Sequence, residues 1–238
     1  SCRRKYFNIQ ISQINKIYLA NLNNYNLVLR QRNEFLKIIN INKESDMNYL
    51  DILNDKYIGL SIVIYNFRRK YVDLVNKYID DIFSSITGLE GLKMIYTSNV
   101  SNLDNDTFKD KLKSNLSREI QYKITFIGPN RDDFYFDLNG KNLSLYGSNG
   151  QIRSAVLALK LAEVKLFTDV LSDTPILLLD DIFSELDIDK RNKVIKYLDN
   201  DIQTIVTTTD IENIDKNVRK KANVYKIENG KIISREII

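Results

Sequence analysis

Two adjacent aspartates at the end of an apolar run are the residues best suited to chemistry in this sequence. Residues 175–179 read Pro-Ile-Leu-Leu-Leu, and Asp180 and Asp181 follow them directly. Such a run predicts a strand buried on both faces, and α/β proteins bind ligands beyond the carboxyl ends of such strands. A carboxylate there can hold Mg²⁺, directly or through water, while the ion bridges nucleotide phosphates. The alternative is a strand that runs out into an acidic surface loop.

Two further segments favour a binding site over an acidic loop. Residues 146–151, Tyr-Gly-Ser-Asn-Gly-Gln, lead into a predicted helix. A loop of this composition can direct backbone N–H groups, a hydroxyl and a helix N-terminus at an anion, although any glycine-rich turn before a helix looks similar. Residues 207–209 are threonines at the end of another predicted strand, which places their hydroxyls at the same sheet edge as the aspartates.

The composition narrows the chemistry that these residues can perform. The 238 residues include one cysteine and no histidine. These counts exclude an internal disulfide framework, a cysteine-built zinc site and every histidine-dependent triad. The 35 lysines and arginines outnumber the 31 acidic residues, and the net charge of +4 permits nucleic-acid contact without requiring it. No apolar run approaches the roughly 20 residues of a membrane span.

Helical periodicity dominates the first half of the chain. Apolar and aromatic residues recur at helical spacing over residues 11–39, with polar breaks at Asn21 and Arg32, and again over residues 67–86, up to Gly88. The two stretches and their polar connection predict an antiparallel arm of two long helices. A strand at residues 92–97 follows, and then a helix over residues 104–121, capped by Asp104 or Asp106.

After residue 129 the pattern changes to α/β. Strands are predicted at residues 134–138, 141–146, 175–179 and 203–207 and on both sides of a turn at 228–230, with helices at 150–171 and 188–198. Helices that alternate with buried strands predict a mainly parallel sheet. We therefore divide the chain into a helical arm domain at residues 1–120 and an α/β domain at residues 121–238.

Several phrases of the sequence resemble the RecF family of bacterial recombination mediators, which have an ABC-type ATPase head. Residues 147–151, 177–181 and 184–187 resemble the signature loop, Walker B strand and D-loop of ABC-type ATPases. Supporting phrases stand at residues 25–37 (YNLVLRQRNEFLK), 128–133 (GPNRDD), 151–163 and 203–209. The resemblance covers nearly the whole chain. It implies a partial ABC-ATPase head, with a mainly parallel sheet and flanking helices. It also implies that the helical arm domain is the part of the family fold called lobe II.

The resemblance also implies roles for single residues. Asp180 would bind Mg²⁺, and Asp181 would occupy the position of the carboxylate that activates water. Asp187 would lie across the interface of an ATP-sandwiched dimer. The signature loop would contact the γ-phosphate of ATP held by a second subunit, through Ser148, Asn149, Gly150 and Gln151.

The sequence departs from the family pattern in three places. Asn149 stands where the family usually has glutamine, and Asn130 stands where it has histidine. The 238 residues contain no Gly-x-x-x-x-Gly-Lys-Ser/Thr phosphate loop, which the family carries near its N-terminus. We therefore expect the chain to be the C-terminal part of a longer protein, and we expect that it does not hydrolyse ATP by itself.

The resemblance implies a DNA repair and replication protein of the cytoplasm and nucleoid. Its ligands would be ATP and Mg²⁺, and it would form an ATP-dependent homodimer on single- and double-stranded DNA at gaps. Its partners would be RecO and RecR, and it would help to load RecA. The compact basic cluster of Arg68, Arg69 and Lys70 on the predicted arm is the preferred DNA contact.

Two alternatives remain open. One is another SMC-like ABC chromosome ATPase, which the short arm and the single cysteine disfavour. The other is a non-enzymatic module that binds DNA or protein through a helical arm on a partial sheet.

Overall fold

The computed structural model describes residues 2–102, 104–171, 174–180, 188–197, 202–209, 211, 219–220 and 222–237. The chain forms two compact units: residues 1–77 with 93–144, and residues 78–92 with 145–238. A division at residue 120 would assign residues 78–92 to the first half of the chain, but they group with the second compact unit. Residues 121–144 lie beyond that division, but they group with the first unit. The division into an arm domain at residues 1–120 and an α/β domain at residues 121–238 stays a prediction.

Long helices form most of the first half of the chain, and the strands are short and lie mainly in the second half. The helices are α1 (Cys2–Ile14), α2 (Lys16–Phe35), α3 (Glu44–Val75), α4 (Ile79–Thr87), α5 (Asn105–Tyr122), α6 (Leu143–Tyr146), α7 (Asn149–Leu171) and α8 (Ile188–Tyr197). The strands are β1 (Leu92–Thr97), β2 (Asp133–Leu138), β3 (Lys141–Asn142), β4 (Leu177–Leu179), β5 (Thr204–Val206), β6 (Asn223–Glu228) and β7 (Lys231–Ile237). A 3₁₀-helix at Pro129–Arg131 precedes β2.

In the first unit α2 packs antiparallel against α3, which confirms the predicted pairing of two long helices. The periodic stretch predicted over residues 67–86 is divided, because α3 ends at Val75 and α4 begins at Ile79. Near the middle of the pair, the rings of Tyr25 and Tyr57 stack with their centroids 5.5 Å apart. Nearer the start of α2, Tyr18 packs edge-on against Phe67 at 5.6 Å. The side chain of Asn15 caps α2 by accepting a hydrogen bond from a backbone N–H, which separates α1 from α2.

Arg32 belongs to the buried face of α2 rather than interrupting it. Its side chain is fully buried, and its guanidinium donates to Asn54 at 2.8 Å, Thr125 at 2.7 Å and Glu119 at 2.7 Å. The carboxylate of Glu119 also accepts from the backbone N–H of Phe126 at 2.7 Å. The polar break predicted at Arg32 is therefore an internal ion pair that ties α2, α3 and α5 together.

The first unit also contains a three-stranded sheet in the order β1-β2-β3. Asn139 and Gly140 adopt positive φ values of 52° and 80° in the β2–β3 turn, as a tight hairpin requires. The strand predicted at residues 141–146 ends after Asn142 instead. The side chain of Asn142 accepts from the backbone N–H of Ser144 at 2.9 Å and from its hydroxyl at 2.7 Å, and this local turn replaces strand pairing with α6.

In the second unit the buried face of α4 packs against α7 and α8. Gly88 ends α4 in the left-handed conformation with φ of 76°, as its position predicts. The expected parallel pairing is found between β4 and β5, whereas β6 and β7 form an antiparallel hairpin. Leu177 and Leu179 are buried, but Leu178 is 67% exposed, so the expected burial of β4 on both faces is not found among the described residues.

In the part of the chain that the structure describes, no helix has both the length and the apolar character to cross a membrane.

Candidate functional site

The predicted signature loop closes the start of α7 with a reciprocal pair of hydrogen bonds. Ser148 is the residue before the helix, and the backbone N–H of Gln151 donates to its hydroxyl oxygen at 3.2 Å. In return the backbone N–H of Ser148 donates to Oε1 of Gln151 at 2.9 Å. This is a capping box, which satisfies two N–H groups at a helix start and fixes the loop without any ligand.

The same helix start is open to solvent. Ser148, Asn149 and Gly150 are exposed, and no acidic residue lies in the first turn of α7. Because the N–H groups of Asn149 and Gly150 belong to the first turn, they have no acceptor within the helix. The aligned peptide dipoles add a partial positive charge there, so the loop can hold an anion.

Neither the backbone conformation nor the space around residue 150 requires a glycine there. A Cβ atom built at this position would meet only the hydroxyl oxygen of Ser148, at 4.0 Å, and the residue needs no left-handed backbone. The absent side chain keeps the first turn of α7 accessible, which suits close approach of a ligand to the backbone.

Asp180 lies at the edge of the parallel pair, as its place after β4 predicts. The hydroxyl of Thr207, which follows β5, donates to Oδ1 of Asp180 at 2.5 Å, and the backbone N–H of Thr207 donates to the carbonyl of Leu179 at 3.0 Å. The expectation that carboxylate and threonine hydroxyl meet at one edge is therefore confirmed for these two residues.

The remaining predicted nucleotide residues cannot be placed. Asp181 and Asp187 lie outside the described residues. Among the described residues, no three Asp, Glu, Cys or His side chains cluster in a way that could hold a metal ion. A Mg²⁺ ion commonly takes only one or two carboxylates and completes its shell with water and phosphate oxygens, so Asp180 fits as one ligand of such a shell. Its role stays a prediction.

The basic cluster on α3 divides between the interior and the surface. Arg68 is buried, and its Nη1 atom donates to Asp132 at 2.6 Å and to the carbonyl of Pro129 at 2.8 Å. A guanidinium committed in this way has no face for a DNA phosphate, which corrects the prediction for Arg68. Arg69 and Lys70 are exposed, and their contact with DNA stays a prediction.

The structure also contains a polar cavity in the first unit that sequence reasoning missed. It is lined by Arg4 and Asn8 of α1 together with residues of α2, α3 and the 3₁₀-helix. The sequence feature that could have indicated this cavity is the spacing of Arg4 and Asn8, because residues four positions apart lie on the same side of a helix.

Comparisons with known proteins identify the family. No protein-family model matches the chain. The chain is 39% identical over 234 residues to the DNA replication and repair protein RecF of Lachnospira eligens, covering 98% of this chain and 63% of that protein. It is 38% identical to RecF of Lactobacillus johnsonii, covering 99% of this chain and 66% of that protein. A solved structure of the recombination mediator protein RecF with ATP, in the RecFOR pathway, matches with a TM-score of 0.80 and 30% identity over 98% of this chain and 62% of that chain.

These similarities extend along the arm as well as the head, which favours a RecF protein over other SMC-like ATPases. The chain spans slightly less than two thirds of the length of these relatives. It belongs to the RecF family.

Proposed function

We propose that this chain supplies the trans-acting half of an ATP site in a DNA replication and repair protein that self-associates on DNA when ATP binds. The observation that carries the proposal is the exposed, pre-formed start of α7, where Ser148 and Gln151 cap each other and the first-turn N–H groups face solvent. The similarity to RecF structures that contain ATP supports the choice of ATP as the anion.

The chemistry of the loop suits a terminal phosphate. The hydroxyl of Ser148 already accepts a hydrogen bond from Gln151, so its own proton is available to a phosphate oxygen. The N–H groups of Asn149 and Gly150 add two further donors in a fixed direction. Since all of these groups are in place beforehand, they can stabilise the charge of a γ-phosphate without reorganisation. The loop would thereby sense the γ-phosphate held by a second protomer.

Asp180 would provide the carboxylate for Mg²⁺ at the sheet edge. One of its oxygens accepts from Thr207, which orients the carboxylate and leaves the other oxygen for the ion or for a coordinated water. When bound, the ion neutralises charge on the β- and γ-phosphates. Asp181 as the water-activating carboxylate and Asp187 at the dimer interface complete the proposal. The phosphate loop that such a site requires does not occur in these 238 residues, so hydrolysis requires additional sequence.

For the whole protein we propose binding to single- and double-stranded DNA at gaps, together with RecO and RecR, and help in loading RecA. Arg69 and Lys70 on the exposed face of α3 are the proposed phosphate contacts within this chain. Contacts of this kind do not depend on base sequence, and they weaken as salt concentration rises.

The test is the substitution Ser148→Arg in this chain joined to the phosphate-loop segment of a RecF relative. Sedimentation velocity with and without Mg-ATP measures self-association. We expect ATP to convert the parent hybrid to a dimer and the Ser148→Arg hybrid to remain a monomer, because the arginine side chain fills the phosphate position.

The matched control is Ser114→Arg, which makes the same change at an exposed position of α5. It should dimerise like the parent. A Ser148→Arg hybrid that binds ATP and dimerises normally would refute the role of the loop. A parent hybrid that ignores ATP and still binds DNA would instead support a non-enzymatic DNA-binding module.

A further inference from the structure

The sequence contains three Asn-Gly pairs, and one of them lies in the predicted signature loop. The pairs stand at residues 139–140, 149–150 and 229–230. An asparagine before glycine can lose its side-chain amide without an enzyme, because glycine has no Cβ to hinder its backbone nitrogen as that atom approaches the asparagine Cγ. The three pairs differ in backbone conformation and in neighbouring charge, so the fold decides which of them reacts.

The reaction consumes water and releases ammonia. The backbone nitrogen of the glycine gives up its proton to solvent and attacks Cγ of the asparagine. A bond forms between these two atoms, the bond from Cγ to Nδ2 breaks, and Nδ2 takes up a proton and leaves as ammonia. Water then opens the resulting succinimide ring at either of its carbonyl carbons. The product is aspartate or isoaspartate, so the chain gains one carboxylate and needs no oxidant.

The pair in the signature loop is accessible to this attack. Asn149 and Gly150 are exposed, and among the described residues neither the side chain of Asn149 nor the backbone N–H of Gly150 makes a hydrogen bond. The two hydrogen bonds of the capping box join Ser148 to Gln151 and do not involve the peptide group between Asn149 and Gly150. A Cβ built at Gly150 would meet only the hydroxyl oxygen of Ser148, at 4.0 Å, so the space beside the nitrogen is open.

The backbone of Asn149 is closer to the geometry of the ring than the backbone of the other two asparagines. Ring closure requires a strongly negative ψ angle. Asn149 is the first residue of α7, and a right-handed helical residue already has a negative ψ. Asn139 and Asn229 have φ values of 52° and 49°, in the left-handed region where ψ is positive. Their turns must therefore open before the ring can close, whereas at Asn149 only the end of a helix must fray.

The charges near the three pairs also favour Asn149. The attacking nitrogen becomes anionic, which the partial positive charge at a helix start stabilises, and no acidic residue lies in the first turn of α7. Each of the other pairs has an acidic neighbour. The backbone N–H of Gly140 donates to Oδ1 of Asp137 at 2.9 Å, and Glu228 directly precedes Asn229. A carboxylate beside the nitrogen opposes the loss of its proton.

We propose that Asn149 is a site of non-enzymatic deamidation, and that the carboxylate formed there blocks the anion site at the start of α7. A carboxylate in the first turn is stabilised by the helix dipole, so it competes for the N–H groups that the loop would offer to a phosphate. It also repels a phosphate through its charge. The loop would thus lose its response to ATP as the protein ages. The blocking step rests on the function proposed above, and the deamidation itself does not.

The first experiment maps deamidation in the folded chain and, as a reference, in the chain unfolded in urea. Trypsin cleaves after lysine and arginine, so the three pairs fall in separate peptides, at residues 132–141, 142–153 and 227–231. Mass spectrometry of each peptide over time measures the conversion of amide to carboxyl, and fragment spectra locate it. In urea the three pairs should convert at similar rates. In the folded chain we expect Asn149 to convert several-fold faster than the other two, at a rate that rises with pH.

Two results of this mapping would overturn the proposal. One is the absence of conversion at Asn149 in the folded chain over a time in which the unfolded chain converts. The other is an equal rate at all three pairs in the folded chain, since the helix start would then give Asn149 no preference. The variant Asn149→Gln checks the assignment of the signal, because glutamine would have to form a larger ring and should leave its peptide unconverted.

The second experiment tests the blocking step in the hybrid chain that carries the phosphate-loop segment. Sedimentation velocity with Mg-ATP is measured before and after incubation. The dimer fraction of the parent hybrid should fall in parallel with the fraction of Asn149 that remains intact. Asn149→Gln, compared with its own value before incubation, should lose no dimer. The matched change Asn229→Gln, at an Asn-Gly pair outside the loop, should lose dimer as the parent does.

The two experiments distinguish failure of this inference from failure of the proposed function. A parent hybrid that never dimerises with ATP refutes the proposed function, while conversion of Asn149 in the peptide map still establishes the modification site. A hybrid that dimerises fully although Asn149 has been converted refutes the blocking step and leaves the ATP response of the loop intact.

Discussion

Replacing Arg68 by methionine should destabilise the first unit strongly, and the structure indicates by how much. Arg68 donates to Asp132 at 2.6 Å, to the carbonyl of Pro129 at 2.8 Å and to Asn8 at 3.0 Å. Without the guanidinium, the Asp132 carboxylate stays buried and keeps only the hydroxyl of Tyr96 as a donor, since its Oδ1 atom already has no hydrogen-bond partner. Breaking one side of a buried ion pair costs about 3–5 kcal/mol.

The assay compares Arg68→Met with Arg69→Met by urea unfolding, followed by circular dichroism. Arg69 is the neighbouring residue, carries the same charge and is exposed, so its replacement should change the free energy of unfolding by less than about 0.5 kcal/mol. DNA binding should respond in the opposite way. Loss of one phosphate contact at Arg69 should reduce the slope of log affinity against log salt by about 0.9 on duplex DNA.

A double variant checks the physical reason for the loss at Arg68. Replacing the pair together, as Arg68→Met with Asp132→Leu, removes the uncompensated charge and should recover a large part of the lost stability. If Arg68→Met is as stable as Arg69→Met and binds DNA more weakly, the buried clamp is wrong and the original assignment of Arg68 to DNA is correct.

Three other changes give separate tests. Gly128→Ala should lower the free energy of unfolding by about 2–4 kcal/mol in a urea titration. The backbone φ at this position is 128°, and the new Cβ would lie 2.0 Å from the hydroxyl oxygen of Tyr57. An alanine variant of normal stability would contradict this close approach. Ser148→Ala should cost about 1 kcal/mol by thermal unfolding, because Gln151 loses its capping partner, and no loss would mean that the capping box is absent in solution. Burial raises the pKa of Tyr25 to about 12 despite its hydrogen bond with Tyr57. An unfolded tyrosine ionises near pH 10, so the stabilisation of the fold by the neutral Tyr25 hydroxyl is complete below about pH 10 and is lost as pH rises toward 12. The loss amounts to about 3 kcal/mol of unfolding free energy. Urea unfolding at each pH measures this alkaline loss, and Tyr25→Phe should remove that part of it.

The sequence predicted best those features whose cause is local. The cap at Asp104 accepts from the backbone N–H of Thr107 at 2.7 Å, Gly88 ends α4, and the Asn139–Gly140 turn joins two strands. In each case the residues that determine the structure lie within a few positions of one another. The start of α7 was predictable for the same reason, because Ser148 and Gln151 have capping-box spacing.

The arginines on the arm were mispredicted because their partners are distant in the sequence. Arg32 pairs with Glu119, 87 residues away, and Arg68 pairs with Asp132, 64 residues away. A charged residue within an apolar stripe indicates a surface break unless its counter-charge is known. The exposure of Leu178 has a related cause: an apolar run predicts burial, but it does not specify which elements cover each face.

The two buried arginines also explain how the arm keeps a single register. Helices packed only through apolar side chains can slide by a turn at small cost, and a buried polar contact that matches in one register alone removes that freedom. Arg32 joins α2 to Asn54 of α3, and from the other direction Arg68 of α3 reaches the hydroxyl of Tyr18 on α2 at 3.4 Å. Both arginines then continue to the segment 125–132, through Thr125 and Asp132. A shift of α2 along α3 would therefore separate Arg32 from Asn54 and from its buried carboxylate partner Glu119, and it would separate Arg68 from the hydroxyl of Tyr18. Because breaking a buried ion pair is costly, the Arg32–Glu119 pair holds α2 in one register.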